Sequence, residues 1–148
     1  MPTQGKGRRA TSTEVIHRMN TEKKDYNNCL YHDLTKQLIG FAFDIFKQIG
    51  PRYPEKLYQK AYENKLIDNG ISFTRENYCR IEVDAKKIGS FRLDFLVASK
   101  VVVELKVRNQ FLNKDIAQVL TYMRANDIKI GIILLFTNHK VEIKRLIL

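Results

Sequence analysis

Hydrophobic and polar residues alternate around one predicted hairpin, between residues 92 and 107. Two runs rich in Val, Leu and Phe flank the polar break Ala98-Ser99-Lys100, a pattern typical of adjacent antiparallel strands. If the loop consists of those three residues, Val97 pairs with Val101. Because side chains alternate along a strand, the odd-numbered positions then form an apolar face that must pack on a core. These positions are Leu93, Phe95, Val97, Val101, Val103, Leu105 and Val107.

The opposite face of this hairpin carries its charges. The same register places Asp94 directly across from Glu104, with Lys106 on the same face. Opposed carboxylates destabilise a sheet by roughly several tenths of a kcal/mol. One interpretation is an ordinary surface that Lys106 neutralises. The other is a site for a divalent cation, because Mg²⁺ prefers oxygen ligands and a nearby lysine can orient or deprotonate a metal-bound water.

The remaining periodicity predicts three helices and three further strands. Residues 129–136 are hydrophobic on both faces, which is typical of a central strand covered by helices. The predicted order is helix 34–49, helix 54–69, strand 73–83, hairpin strands 88–97 and 101–107, helix 114–126, and strands 129–136 and 141–148. This order indicates an α/β fold with a mixed sheet, in which an antiparallel meander and further strands are flanked by helices.

Composition narrows the class of protein. The chain has 148 residues, of which 44% are hydrophobic, enough for one domain with a real core. Twenty-six Lys and Arg against sixteen Asp and Glu give a net charge of +10. Such an excess favours nucleic acid ahead of an anionic membrane surface, although a generically basic protein would share it. No apolar run reaches the roughly 18 residues of a membrane span, so none is predicted.

The N-terminal stretch differs from the rest of the chain. Residues 1–30 are polar and basic without a sustained apolar period, so we interpret them as a flexible arm before a single domain at 31–148. Cys29 and Cys79 fit neither a disulfide framework nor a zinc pattern. Together with the lack of a secretory signal, they predict free thiols and a cytoplasmic location.

A family resemblance is carried by Asp94 followed by Glu104-Leu105-Lys106 at the end of the next strand. This arrangement resembles the D…ExK signature of the PD-(D/E)XK nuclease superfamily, and the chain is more specifically similar to the small bacterial GxxExxY proteins of that superfamily. The resemblance runs from about Asp33 to Leu148. It includes residues 34–40, Gly50-Pro51, Glu55 to Tyr58, 92–94, 103–107, 117–122 and 143–148. Arg52 departs from it, because the naming motif has glycine there.

The resemblance implies a restriction-endonuclease-like core and roles for two helix residues. Glu55 matches a glutamate that completes the metal shell or supports it, although a carboxylate in a first helical turn is also favoured by the helix dipole. Gln118 matches a glutamine that contributes to the site. The alternative for Gln118 is a solvated helix position.

We therefore expect a metal-dependent nuclease that hydrolyses phosphodiester bonds in nucleic acid, with DNA favoured over RNA. Asp94, Glu104 and Glu55 are the expected ligands of Mg²⁺ or Mn²⁺, with the Leu105 carbonyl as a further one. Lys106 would position the attacking water and neutralise charge on the phosphate.

The expected contacts to the nucleic-acid backbone are four basic residues, Arg80, Arg92, Lys100 and Arg108. A catalytically silent nucleic-acid-binding or scaffold module of the same fold is the alternative, because a fold does not by itself imply chemistry. A homodimer is left open, since restriction-like folds often pair to cut two strands.

Overall fold

The computed structural model describes residues 31–148, so the predicted arm at residues 1–30 lies outside the described part. Residues 37–148 form one compact unit, and residues 31–36 fall in a separate unit. The elements are α1 (His32–Ile49), α2 (Glu55–Asp68), β1 (Phe73–Val83), β2 (Lys86–Val97), β3 (Val101–Val107), α3 (Asn113–Ala125), β4 (Ile130–Phe136) and β5 (Val141–Ile147). Every predicted element exists, with ends that differ by at most two residues. The α/β class is confirmed.

The strands form one five-stranded mixed sheet in the order β1-β2-β3-β4-β5. Strands β3 and β4 run parallel, with helix α3 as the crossover between them, and the other neighbouring pairs of this sheet are antiparallel. Every residue of β4 is buried, which confirms the predicted central strand, and β5 lies at an edge of the sheet. The predicted hairpin register is also confirmed, since Val97 pairs with Val101.

Helices cover the two faces of this sheet. On one face, Tyr58 of α2 stacks on Phe136 with ring centroids 4.3 Å apart. On the other, α3 comes so close that a Cβ at Gly131 would lie 2.7 Å from Sδ of Met123 and 2.9 Å from Cγ1 of Val119. The sheet is therefore the buried middle layer between helices. Leu57, an apolar residue of α2, is 49% exposed.

Helix α1 fixes the position of α2. The Tyr62 hydroxyl donates a hydrogen bond of 2.9 Å to the Leu38 carbonyl, and Tyr62 also makes an edge contact with Phe41. At the start of α2, the Tyr58 hydroxyl donates to the Gly50 carbonyl at 2.6 Å. An ion pair between Lys65 and Asp44 adds a contact between the helices. These contacts hold α2 against α1, while the stacking of Tyr58 on Phe136 holds α2 against the sheet.

Strand β2 breaks its alternation at Asp94. Leu93 and the half-buried Leu96 belong to one apolar cluster that includes Val102 and side chains of α3, whereas Phe95 contacts Tyr62 of α2. Residues three apart cannot share a face of a regular strand, so the alternation is interrupted between them. The predicted odd-numbered apolar face is therefore wrong at Leu93.

Candidate active site

The ladder between β2 and β3 stops at the two acidic residues. Its last regular pair is Phe95 with Val103, and the next pair would be Asp94 with Glu104. There the backbone N–H of Asp94 donates to Oε2 of Glu104 at 3.1 Å, and the N–H of Leu105 donates to Oδ2 of Asp94 at 2.8 Å. Side-chain carboxylates therefore replace backbone carbonyls as the acceptors at this point.

The neighbouring strand is irregular at the same level. Glu76 of β1 has a φ of +57°, a left-handed conformation that is uncommon for a side-chain-bearing residue. The regular pairs on either side of it are Arg75 with Phe95 and Asn77 with Leu93. Asp94 thus lies where both adjacent strands depart from regular pairing, which lets its side chain enter the gap.

Lys106 completes the cluster. Its Nζ lies 3.3 Å from Oε1 of Glu104 and 4.0 Å from Oδ1 of Asp115. The Lys106 side chain is 18% exposed, so these are partly desolvated interactions. Asp115 itself is buried in the first turn of α3, and Arg108 pairs with it at 3.0 Å. Strand β3 and helix α3 therefore bring acidic and basic side chains together at this point.

Helix α2 contributes two residues to the cluster. The Gln59 amide donates to Oδ1 of Asp94 at 2.9 Å and to Oε1 of Glu55 at 3.3 Å. Glu55 is partly buried in the first turn, and the hydrogen bonds of the described residues connect it to Asp94 through Gln59. The side-chain amide of Gln59 therefore links Glu55 to Asp94.

Burial and mutual repulsion set the protonation of the carboxyls. Burial raises the pKa of Asp94 above its usual range. The pKa of Glu104 is raised by burial and then by the negative charge of Asp94. Burial also raises the pKa of Glu55, against the opposing charge of Lys106. A bound cation would relieve this cost, because it favours the charged forms.

Lys106 is a charged ammonium in this setting. Burial alone would lower the pKa of Lys106, but the negative charges of Glu104 and Glu55 outweigh it and hold the pKa above its usual range. A protonated lysine cannot accept a proton from water. Lys106 thus contributes a positive charge beside the carboxylates.

The other predicted site residues lie in different settings. Gln118 is half-buried on α3, and no hydrogen bond within residues 31–148 joins it to the carboxylates. Arg108 belongs to the Asp115 pair, while Arg92 pairs with Glu76 at 3.3 Å. Arg80 pairs with Glu82 on an exposed part of β1, and Lys100 lies in the turn between β2 and β3. The predicted basic residues are thus distributed over several surfaces.

Two residues of the cluster were missed from the sequence, Gln59 and Asp115. Gln59 follows Glu55 by four positions, so it lies on the same helix face, and that spacing was the available signal. Asp115 resembled a carboxylate favoured by the dipole of α3. Its contact with Lys106 depends on how α3 packs on the sheet.

Comparisons with known proteins identify the family and the fold of the chain. The family model described as the PD-(D/E)XK nuclease superfamily matches residues 26–146. A solved structure titled "Crystal structure of SSO0001" superposes with a TM-score of 0.51 at 20% sequence identity. The match covers 62% of this chain and 48% of that one, so this chain corresponds to about half of that protein, and the likeness shows a shared fold. No curated protein matches the chain.

Within residues 31–148, none of the helices has the length and apolar character needed to cross a membrane.

The match to the family model extends over most of the sequence, from before α1 into β5. It includes both strands that carry Asp94, Glu104 and Lys106. The chain therefore belongs to the PD-(D/E)XK nuclease superfamily.

Proposed function

We propose that this protein is a metal-dependent nuclease that hydrolyses phosphodiester bonds in nucleic acid, with DNA favoured over RNA. The observation that carries the proposal is a pair of neighbouring buried carboxylates, Asp94 and Glu104, at a gap in the sheet. The Asp94 backbone N–H donates to Glu104, and the Lys106 ammonium lies 3.3 Å from Glu104. Two neighbouring buried carboxylates are costly unless cations offset their charges, and the Lys106 ammonium balances one of the two. That cost is consistent with a cation-binding function.

The donor set fits a hard divalent ion. Each carboxylate oxygen of Asp94 and Glu104 accepts one hydrogen bond or pairs with Lys106, and each keeps a second lone pair. Residues 31–148 contain no group of three or more His, Cys, Asp and Glu placed to hold a metal. Water and substrate oxygens would therefore complete the shell, as Mg²⁺ commonly requires.

On this proposal, Asp94 and Glu104 hold Mg²⁺ or Mn²⁺, and the Leu105 carbonyl is a further ligand. The bound ion supplies an activated water and offsets charge on the phosphate. Lys106 stabilises negative charge on the phosphate as a fixed ammonium. Glu55 and Gln59 orient Asp94 from α2, and Glu55 is a further candidate ligand of the ion. Gln118 remains a candidate for contact with the substrate.

The test is cleavage of labelled single- and double-stranded DNA and RNA in Mn²⁺, Mg²⁺ or EDTA. Wild type is compared with Glu104→Gln and Lys106→Ala. Glu142→Gln and Lys129→Ala, which change exposed or half-exposed residues of β5 and the loop before β4, are the matched controls. We expect metal-dependent cleavage that both controls keep, and a loss of at least about a hundredfold in both site variants.

Two results would contradict the proposal. Equal cleavage by wild type and the site variants would assign the activity to a contaminant. Binding of nucleic acid without cleavage in any metal would favour the catalytically silent module of the same fold.

A further inference from the structure

A basic cleft lies beside the candidate active site. It has a volume of about 290 Å³ and is lined by residues of α2, β1 and β2. These residues are Lys56, Gln59, Lys60, Arg75, Glu76 and Arg92. Four cations and one carboxylate give the cleft a strong positive charge. Its volume is at the lower limit of small-molecule sites and is sufficient for a phosphate with part of its nucleotide.

Arg75 is held rigidly in this cleft. Its Nε donates to the Asp94 carbonyl at 3.2 Å, its Nη1 donates to Oε2 of Glu63 at 3.3 Å, and its Cζ lies 4.4 Å from the centroid of the Phe95 ring. A guanidinium has five N–H donors, and these bonds use two. A pre-oriented guanidinium with donors remaining is suited to phosphate oxygens.

The other three cations are accessible and weakly held. Lys56 and Lys60 lie one turn apart on α2, and Lys60 is paired with Glu63 only at 3.8 Å, with 67% of its side chain exposed. No ion pair between residues 31–148 includes Lys56. Arg92 pairs with Glu76 at 3.3 Å with about half of each side chain exposed. Exposed pairs contribute little free energy, so a phosphate can replace Glu76 as the partner of Arg92.

The cleft and the carboxylates share a wall. Gln59 lines the cleft and donates to Oδ1 of Asp94, Arg75 donates to the Asp94 backbone, and Arg92 precedes Asp94 by two residues on β2. A ligand in the cleft would therefore be adjacent to whatever the carboxylates act on.

We propose that this cleft binds a second phosphate of the nucleic-acid strand whose neighbouring phosphodiester is hydrolysed. The inference rests on the proposed function, because both phosphates belong to one polynucleotide. The phosphate is either an internal phosphodiester or a terminal phosphomonoester, which present the same oxyanions to these cations. Of the four basic residues expected from the sequence to contact nucleic acid, only Arg92 lines the cleft.

The test measures binding separately from cleavage. Fluorescence anisotropy in EDTA gives the Kd of short single-stranded oligonucleotides for wild type and for Lys56→Gln/Lys60→Gln. The matched control is Lys47→Gln/Lys140→Gln, which removes the same charge at exposed positions that do not line the cleft. Arg92→Gln is a further single variant. Thermal midpoints establish that all variants fold, and oligonucleotides with a 5′-phosphate, a 3′-phosphate or neither distinguish the two phosphate sources.

We expect the Lys56/Lys60 variant to bind about tenfold more weakly than the control. Its plot of log Kd against log salt should be shallower by about 0.7, because one phosphate of a single strand is no longer neutralised. An equal effect on every oligonucleotide assigns the cleft to an internal phosphodiester, and an effect confined to one phosphorylated end assigns it to that end.

Equal Kd values for the cleft variant and the control would overturn the inference, as would a wild type that binds no oligonucleotide at low salt. These results are independent of the proposed hydrolysis. A wild type that binds through Lys56 and Lys60 but never cleaves would overturn the proposed function while leaving the phosphate site in place.

Discussion

The side-chain amide of Gln59 donates a hydrogen bond of 2.9 Å to Oδ1 of Asp94. The other oxygen of that carboxylate accepts from the Leu105 N–H at 2.8 Å, so Asp94 is fixed from the helix on one side and from β3 on the other. Gln59 is 7% exposed, which keeps water from competing for the bond. This relationship couples the position of α2 to the orientation of a candidate metal ligand.

Replacing Gln59 by Met should therefore weaken metal-dependent activity. The substitution keeps a similar volume but removes the donor, and loss of an outer-shell partner typically costs about 10–100-fold in metal affinity or activity. Titration of cleavage with Mn²⁺ should show a higher Mn²⁺ requirement. Gln48→Met, which removes an exposed bond to Asp44 on α1, is the control and should leave the titration unchanged. An unshifted Mn²⁺ titration for Gln59→Met would show that the bond does not orient Asp94.

Asp115→Asn should lower kcat more than it changes KM. Asn keeps the shape of the side chain but removes the buried negative charge that faces Lys106 at 4.0 Å and Arg108 at 3.0 Å. With this partner neutral, the Lys106 ammonium is less firmly placed, and we expect kcat to fall about tenfold, which corresponds to about 1.4 kcal/mol. Steady-state kinetics provide the measurement, and Asp127→Asn, in an exposed pair with Lys129, is the control. A change in KM alone would assign Asp115 to substrate binding.

Without metal, the protein should lose stability as the pH rises from about 5 to 8. Burial and the charge of Asp94 raise the pKa of Glu104 from 4.5 to about 8. In this window the unfolded chain has released the proton and the folded chain retains it, so the free energy of unfolding falls with rising pH, by up to about 1.4 kcal/mol per pH unit. Chemical denaturation in EDTA at several pH values measures this slope.

Glu104→Gln carries no titrating group at this position, so it should flatten the pH dependence. Added Mn²⁺ should also reduce it in wild type, since the cation favours the charged carboxylates. If the free energy of unfolding depends on pH with the same slope in wild type and Glu104→Gln, the proton is bound by a group other than Glu104.

Arg52→Gly should stabilise the protein. Arg52 has a φ of +71°, in the left-handed region where a side chain costs about 1–2 kcal/mol and glycine is unstrained. Part of that gain is offset by the greater freedom of glycine in the unfolded chain, so we expect an increase of about 0.5–1 kcal/mol in the free energy of unfolding. Arg52→Ala, which keeps the strain and removes the guanidinium, is the control. Equal stabilisation by Ala and Gly would attribute the effect to charge.

Gly131→Ala should destabilise the protein by about 1–3 kcal/mol, the usual cost of overpacking a core. A Cβ at this position meets Met123 and Val119 of α3, so the helix must move away from β4. Gly40→Ala is the matched control, because nothing lies within 4 Å of its new Cβ and alanine is the better helix former. Thermal or chemical unfolding of the two variants should therefore move in opposite directions. Equal stability of Gly131→Ala and wild type would show that α3 can move away from β4 without a loss of stability.

The local pattern of the sequence was sufficient to predict the helices and strands and the pairing register of β2 with β3. Periods of two and of three to four residues correspond directly to strands and helices, and the short break at Ala98-Ser99-Lys100 sets the pairing of the strands it joins. That pairing places Asp94 and Glu104 opposite each other, with Lys106 beside them. The resemblance to the superfamily rested on the same residues and was confirmed over most of the chain.

Arg52 illustrates a departure that the sequence could identify but not interpret. It stands where the resemblance expects a glycine, and the backbone there keeps a positive φ that favours glycine. The left-handed conformation is thus present in spite of the arginine. Only the backbone dihedral angle could reveal this.

Tertiary packing decided what surrounds the carboxylates. Gln59, Asp115 and Arg75 are distant from Asp94 or Lys106 along the chain, and their contacts depend on how α2, α3 and β1 pack on the sheet. The predicted face of Leu93 was wrong because a strict alternation of two residues assumes a regular strand, and β2 is interrupted at Asp94. Neighbours in sequence constrain the backbone of a strand or helix, so they determined the elements and the acidic pair. The residues around that pair come from other helices and strands, so only the packing of these elements determines them.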